Sequence, residues 1–273
     1  LNPRPWTAPE NDVIDFFELG VSNKNNIGIS KTGEDYGVRF SYSNTNTQGK
    51  MPGSEMQKNN FKLSGNAELI EDLNIKANLN YHSQYTKGRP QIGYGSNSVG
   101  QKFFQWGQRQ LDYERLKDYK KNDGSQRTWN RKAWDNPEPK YADNPYWTAY
   151  ENAPEDKRDR LFGSFGASYK INENLTAEGN VYGDRYTFYV REKMSIGSQA
   201  QPYYEEMVRS RSEFNYEGRL NYSQDFGDID LSGVLGGNVR TYRYDLNRGE
   251  TSGGLVSKGI YSLGNSYGTP IVE

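Results

Sequence analysis

The chain has 273 residues, of which only 33% are hydrophobic, and its mean hydropathy is −1.03. This is low for a domain that fills its own core, but disordered chains rarely contain as many aromatic residues as the 22 Tyr, 11 Phe and 5 Trp found here. The 34 basic and 35 acidic residues nearly cancel, which gives no electrostatic reason to expect a nucleic acid partner, and the absence of cysteine excludes disulfides and thiolate metal sites.

No segment of the sequence is apolar enough to cross a membrane as a helix, which needs about 18 consecutive apolar residues. The strands of a membrane β-barrel need only about 10 residues of alternating character, so a low mean hydropathy is compatible with them. The chain opens with Leu1-Asn2-Pro3-Arg4, without an initiator Met or an apolar signal segment. We therefore expect it to be part of a longer protein.

Apolar and polar residues alternate with a period of two along much of the chain, which predicts β-strands. The pattern is clearest from Leu73 to Thr86, where the residues between the apolar and aromatic positions are all polar. A strand of this kind has one face in contact with water. The pattern predicts eight strands, in the segments Phe17–Ile29, Tyr36–Tyr42, Phe61–Leu69, Leu73–Thr86, Leu161–Ile171, Leu175–Val190, Phe214–Tyr222 and Ile229–Val239.

The sixth segment changes its pattern part-way along. Leu175 to Val181 place their apolar residues on one face, whereas Tyr186, Phe188 and Val190 belong to the other. A single extra residue would account for this change, so we expect a β-bulge near Gly183.

Short and long connections between the predicted strands alternate, which places all the tight turns at one end of the sheet. The short turns are Lys31–Asp35, Glu71–Asp72, Asn172–Asn174 and Gly227–Asp228. The long connections are Thr47–Lys58, Lys87–Arg158, Ser195–Arg209 and Asn247–Lys258. Membrane barrels have this asymmetry, with short turns on the periplasmic side and long loops on the extracellular side.

Several tyrosines lie towards the ends of the predicted strands. Membrane barrels carry girdles of aromatic residues at these levels, although ordinary cross-strand pairing would also account for them. The tyrosines concerned are Tyr81, Tyr85, Tyr186, Tyr189, Tyr242 and Tyr244.

The long insertion between Lys87 and Arg158 is rich in aromatic residues, and the spacing within Val99–Lys121 predicts a short helix. Flat rings offer stacking surfaces for sugars or anchors for a protein partner, but they could instead form the small core of the insertion itself. The candidate contact residues for a substrate or a partner are Trp106, Trp129, Trp134, Trp147, Arg109 and Tyr146.

No residue pattern predicts catalysis, a metal site or a cofactor. The single histidine, His82, falls on the polar face of the clearest strand, where we expect a solvated residue. Neighbouring acids such as Glu155-Asp156 point in opposite directions in an extended chain, and Gly93-Tyr94-Gly95 lacks the third glycine and the helix of a dinucleotide site. We therefore expect a protein that is not an enzyme.

Several motifs occur in an order that resembles the SusC/RagA family of TonB-dependent outer-membrane transporters, over nearly the whole chain. They are Tyr42-Ser-Asn-Thr-Asn-Thr-Gln-Gly49 followed by Pro52, Ser54, Asn59 and Asn60; Arg89-Pro90; Gly93-Tyr-Gly-Ser-Asn97; Phe104-Gln-Trp-Gly-Gln-Arg109; Asp143-Asn-Pro-Tyr-Trp147; Arg158-Asp-Arg-Leu161; and Gly254-Leu255 to Gly259-Ile-Tyr-Ser-Leu-Gly-Asn265.

The resemblance implies an all-β fold, in which residues 1–273 form about eight strands of a 22-stranded antiparallel transmembrane β-barrel with long extracellular loops, the longest at about residues 87–158. It also implies an N-terminal plug and C-terminal strands outside this chain. The implied function is active import of a bulky nutrient, an oligosaccharide or oligopeptide, across the outer membrane. The implied partners are TonB, reached through the missing N-terminal part, a SusD-like surface lipoprotein that covers the barrel, and membrane lipid.

Two other interpretations are open at this stage. A surface or secreted β-sandwich that binds glycans or mediates adhesion would show similar alternation, but its apolar faces would be sealed against each other. In a barrel, the apolar faces instead form a continuous belt that meets lipid. An eight-stranded barrel hydrolase is less favoured, because the only histidine lies in an unpromising position.

Overall fold

The computed structural model describes residue 5 and residues 7–273, and it contains one antiparallel sheet of nine strands in chain order. The strands are β1 Val21–Thr32, β2 Tyr36–Gln48, β3 Glu55–Ile70, β4 Leu73–Lys87, β5 Glu155–Asn172, β6 Leu175–Met194, β7 Tyr203–Asp225, β8 Asp230–Glu250 and β9 Ile271–Val272. The helical segments are α1 Val99–Gln101, which continues as a π-helical turn over Lys102–Trp106, α2 Tyr113–Leu116, α3 Pro145–Glu151, and two 3-10 turns, Val13–Phe16 and Leu263–Asn265.

All eight predicted strands are present, and each pairs with the next strand in the sequence. The first begins later than predicted, because Phe17 and Leu19 precede Val21 and the neighbouring Phe16 is buried against the insertion. The end of the chain, Thr269–Glu273, has loop-like sequence, yet Ile271 and Val272 pair with β8. A strand of two residues is too short to show any alternation.

The four short turns are confirmed, at residues 33–35, 71–72, 173–174 and 226–229. In the last of them the carboxylate of Asp225 accepts a hydrogen bond from the amide of Gly227, which adopts a φ of +85°. At the other end of the sheet, strands continue beyond the predicted limits. For example, β7 begins at Tyr203 rather than Phe214, because both faces mix apolar and polar residues there and the alternation that marks a half-apolar strand disappears.

The predicted bulge near Gly183 is wrong. Gly183 pairs with Gly163 on one side and Phe214 on the other, and both registers continue without a shift through this point. Tyr186 and Phe188 therefore lie on the polar face of the sheet, where they contact Arg158. The glycine instead makes space for a ring, since a Cβ atom at position 183 would lie 2.9 Å from the Phe214 ring.

Only half of the tyrosines in the predicted girdle lie on the apolar face of the sheet, and the girdle itself stays a prediction. Tyr81, Tyr85 and Tyr189 share the apolar face, as their register shows. Tyr186, Tyr242 and Tyr244 lie on the polar face, because they occupy positions in register with Arg160, Glu213 and Arg211. The sequence could not separate the two sets, because a tyrosine is compatible with either face.

The apolar face of the sheet is exposed. It extends across all eight long strands, and its side chains include Leu79, which is 48% exposed, and Leu235, which is 73% exposed. No second layer covers it within the part of the chain that the structure describes. The sealed apolar faces that a β-sandwich requires are therefore not present between elements of this sheet.

The buried core lies in the loops rather than under the sheet. Phe16, Val99, Tyr113, Tyr146 and Ala149 form a cluster within and beside the insertion. Among the described residues, no helix has the length and apolar character needed to cross a membrane.

Candidate functional site

The polar face of the sheet forms an open cavity of about 870 Å³ against β3 to β7, which we call the polar pocket. Its lining residues are Lys62, Asn78, Asn80, Arg158, Arg160, Phe162, Gly163, Ser164, Tyr182, Gly183, Asp184, Tyr186, Arg211, Glu213 and Asn215. Most are the polar members of the alternating pattern. Alternation therefore places the apolar residues of each strand on one face and the residues of the pocket on the other.

The acids that line the pocket, on β6 and β7, are paired with arginines of β5, β7 and β8. Asp184 accepts two hydrogen bonds from Arg160, at 2.9 Å to Nε and 2.6 Å to the terminal nitrogen. Glu213 is shared by Arg211 at 2.8 Å and Arg240 at 2.7 Å. Such pairs hold the guanidinium groups in defined positions, although partly exposed pairs add little stability.

On the β3 to β5 side, Lys62 and Arg158 have no acidic partner within 4.0 Å among the described residues. The guanidinium group of Arg158 lies over two rings, 4.5 Å from the centroid of Phe188 and 5.6 Å from that of Tyr186. These cation–π contacts fix the direction of the arginine without neutralising its charge.

His82 lies on the polar face, as the alternation predicts, and its Nδ1 atom is 2.5 Å from Oδ1 of Asn60. It borders a second cavity, contiguous with the polar pocket, that shares Lys62, Arg158 and Arg160 as lining residues. No cluster of three or more His, Cys, Asp or Glu side chains suitable for a metal ion occurs in the described ranges. His82 is therefore surrounded by amide and cationic groups, without a second acid or base beside it among the described residues.

The insertion is organised by Asn144, which is 1% exposed. Its Oδ1 atom accepts a hydrogen bond from the amide of Tyr146 and so caps α3, while Pro145 occupies the first helical turn. Its Nδ2 atom donates to the carbonyl groups of Leu116 and Arg127, both at 2.9 Å. One side chain therefore joins three segments of the insertion.

Two charged groups are buried beside it. Burial raises the pKa of the Asp143 carboxyl, whose Oδ1 atom accepts hydrogen bonds from Gln126 and from the amide of Gln199. Burial also lowers the pKa of the Lys102 ammonium, which donates to the carbonyl of Ser96. Both groups hold loop backbone in place, because a buried ionisable group requires partners.

Residues 88–154, 195–202 and 251–270 contact each other and form a unit that we call the loop cap. The indole nitrogen of Trp147 donates to Ser198 at 2.9 Å, and Asn152 donates to Asn97 at 3.0 Å while accepting from the amide of Ser195. The hydroxyl of Ser195 lies 2.6 Å from that of Tyr261. The three loops therefore share one hydrogen-bonded interior.

The six predicted contact residues have different environments. Trp147 and Tyr146 are buried in the loop cap, at 0% and 3% exposure. The ring of Trp106 stacks on that of Tyr141 at 4.7 Å, and its carbonyl accepts a hydrogen bond from the indole of Trp129. Trp134 and Arg109 are exposed. Contact with a substrate or partner stays a prediction, and only the exposed and half-buried members can make it without rearrangement.

The sequence interpretation named no residue of the polar pocket as a contact residue. The signal that could have found them is the polar half of the alternation, which carries Lys62 directly between Phe61 and Leu63 and continues through Arg158 and Arg160 ahead of Leu161. Their convergence depends on strand register, and register is set by the turns rather than by any local motif.

No family model and no curated protein matches this chain. Solved structures do. A structure of the RagAB peptide transporter superposes with a TM-score of 0.70 over 98% of the chain, at 13% identity. The fold is shared. A structure of the RagAB peptide importer in its closed-closed state matches with a TM-score of 0.66 over 96% of the chain, at 14% identity. The chain spans only 30% and 29% of these two chains, and at such identities the likeness concerns the fold.

Proposed function

We propose that this chain is a barrel segment of an outer-membrane transporter that imports a bulky solute. The observation that carries the proposal is the exposed apolar face that crosses eight consecutive strands and stands opposite a polar face with a cavity. A sheet with this division of faces suits a barrel wall between lipid and an aqueous interior. The tight turns at one end and the loop cap at the other suit the two sides of such a membrane.

The fold shared with part of the RagAB peptide transporter supports transport as the role. For the solute we propose an oligopeptide or an oligosaccharide, which would bind to the polar face and the loop cap without covalent chemistry. We further propose that TonB supplies the energy through a part of the protein outside this chain, as the sequence resemblance to the SusC/RagA family implies.

A SusD-like surface lipoprotein is the proposed partner on the loop side. The outer surface of the insertion exposes large apolar residues that the chain itself leaves uncovered, including Ile92 and Phe104, each 94% exposed, and Trp134, which is 77% exposed. Exposed apolar groups of this size are typical of contact surfaces.

Fractionation of cells that produce the whole protein tests the proposal. We expect the protein in the outer-membrane fraction, resistant to extraction by salt or carbonate and released by detergent. Recovery with the soluble or the secreted proteins would contradict the barrel assignment and would favour the adhesive or glycan-binding alternative.

A further inference from the structure

The polar face divides into a basic half and a paired half. On β1 to β5 its charged residues are almost all cations, namely Lys24, Arg39, Lys58, Lys62, Lys76, Arg158, Arg160 and Lys170. The acids on this half are Glu68 and Asp156, and Asp156 is already paired with Arg89 at 2.6 Å. Of the cations, Arg160 is paired with Asp184 of β6 at 2.6 Å. The basic half therefore has a large excess of positive charge.

On the other half, the chain supplies its own counter-charges. Glu178 pairs with Arg219 at 2.9 Å, and Glu205 pairs with Arg248 at 2.7 Å. Glu213 lies between Arg211 and Arg240. Since arginine and acid pair readily across neighbouring strands on β6 to β8, the scarcity of acids on the basic half reflects its sequence and not the strand geometry.

The polar pocket lies where the two halves meet. Asp184 and Glu213 line it, but both are paired with arginines, so the uncompensated charge of the pocket is positive. Uncompensated charge of one sign in a cavity walled by protein attracts ions of opposite charge. Lys62 and Arg158 line this cavity, and no acid of the described residues lies within ion-pair distance of either. The natural occupant is thus a solute that carries carboxylates, which both cations can bind by charge-assisted hydrogen bonds.

The rings of the pocket favour a peptide over a sugar as that solute. Sugar recognition uses ring faces as stacking surfaces. Two of the three rings that line the pocket are each covered on one face by a guanidinium, since Arg160 lies over Phe162 at 4.7 Å and Arg158 lies over Tyr186 at 5.6 Å. Only the third ring, that of Tyr182, carries no such cation among the described residues. The remaining groups include the side-chain amides of Asn78 and Asn80, which match the donors and acceptors of a peptide backbone.

We propose that the polar pocket selects acidic peptides, whose carboxylates are bound by Lys62 and Arg158. This inference rests on the proposed transport function and names the class of solute that the basic side of the pocket binds. Both cations line the polar pocket, but at different levels of one face: Lys62 pairs with Asn80, whereas Arg158 pairs with Gln84, four residues further along the same strand, β4. They would therefore bind different carboxylates of one peptide.

The test measures uptake by cells that produce the whole protein, with three labelled peptides of equal length that are acidic, neutral or basic. The variants are Lys62→Gln, Arg158→Gln and Arg158→Lys, compared at equal amounts of protein in the outer membrane. Lys157→Gln is the matched control, because Lys157 is the neighbour of Arg158 in β5 but lies on the apolar side and pairs with Asp159 at 3.0 Å.

We expect the wild type to prefer the acidic peptide, and each Gln variant to reduce that uptake on the order of ten-fold, as loss of one charge-assisted contact implies. Neutral peptide uptake stays unchanged, Arg158→Lys restores most of the preference, and Lys157→Gln has no effect. Lys62→Gln provides an independent measurement, because Lys62 takes part in none of the cation–π contacts of the pocket.

Uptake of all three peptides at equal rates would overturn the charge inference while leaving transport intact. An equal loss of uptake of acidic and neutral peptides in the Gln variants would also overturn the inference, because that result would show that the two cations bind another part of the protein. Uptake of an acidic oligosaccharide but of no peptide would refute the peptide assignment. Failure to take up any solute would overturn the proposed function and this inference with it.

Discussion

Replacement of Ala77 by Arg tests directly whether the apolar face meets lipid. On β4 this face extends from Leu73 to Tyr81, with Ala77 at its centre. The eight residue steps span about 26 Å along the strand, or roughly 20 Å across the membrane at a tilt near 40°, which is close to the height of an apolar barrel belt. In the proposed barrel wall, Ala77 would thus lie near the midplane of the membrane.

An arginine on the lipid face at the midplane of a barrel costs about 2–4 kcal/mol. Asn78→Arg is the matched control, since Asn78 is the next residue, lines the polar pocket and is exposed. Substitution of a side chain that faces water typically changes the free energy of unfolding by about 0.5 kcal/mol or less. Ala77→Arg should therefore lower the stability by several times more than Asn78→Arg.

The assay is denaturant unfolding of the whole protein in lipid vesicles. The folded fraction is measured on a gel run without boiling the samples, because folded and unfolded barrels migrate differently. We expect the folding midpoint of Ala77→Arg to shift clearly below the wild type, and that of Asn78→Arg to remain near it. Equal stability of the two variants would refute the assignment of this face to lipid, because an arginine facing water carries no such cost.

Three further predictions concern the loop cap. Asn144→Ala removes the cap of α3 and two buried hydrogen bonds, and should destabilise the insertion by about 3 kcal/mol, measured as faster proteolysis between residues 88 and 154, whereas the exposed Asn122→Ala should not. Trp147→Ala should cost about 3–5 kcal/mol by the same assay and Trp134→Ala almost nothing; equal protease sensitivity would contradict their different burial. Burial raises the pKa of Tyr113 to about 12, so its contribution to stability is complete below its ordinary value near 10 and is lost as the pH rises towards 12. The cap of Tyr113→Phe should therefore lose less stability than the wild type between these pH values, as followed by tryptophan fluorescence.

Alternation predicted the sheet well because each strand has one apolar and one polar face. Leu73–Thr86 matches β4 to within one residue, since its side chains report their surroundings one by one. The sequence pattern suggests a bulge before Phe188, but the structure has none, and Phe188 lies on the polar face. A ring is tolerated there because the guanidinium of Arg158 covers it. From periodicity alone, such a ring is assigned to the apolar face.

The insertion was harder to predict than the strands. Its aromatic spacing correctly indicated helix within Val99–Lys121, but the buried helix Pro145–Glu151 was missed. That helix is specified by Asn144 and Pro145 at its start and by hydrogen bonds to distant segments, which leave no periodic pattern in seven residues. The polar pocket was missed for a related reason, because its residues converge only through the register of five strands.

If the sheet is a barrel wall as proposed, the position of the core in the loop cap implies that this chain folds against two different solvents, water and lipid. The cluster around Tyr146 and Trp147 excludes water by burying its own side chains, so it can form wherever water is present. The sheet has no such interior, and its apolar face gains free energy only from a surrounding that is itself apolar. Heat, denaturant or detergent should therefore act on the two parts unequally, and a loss of the cap should leave the strands paired while the outward-facing surface loses its shape.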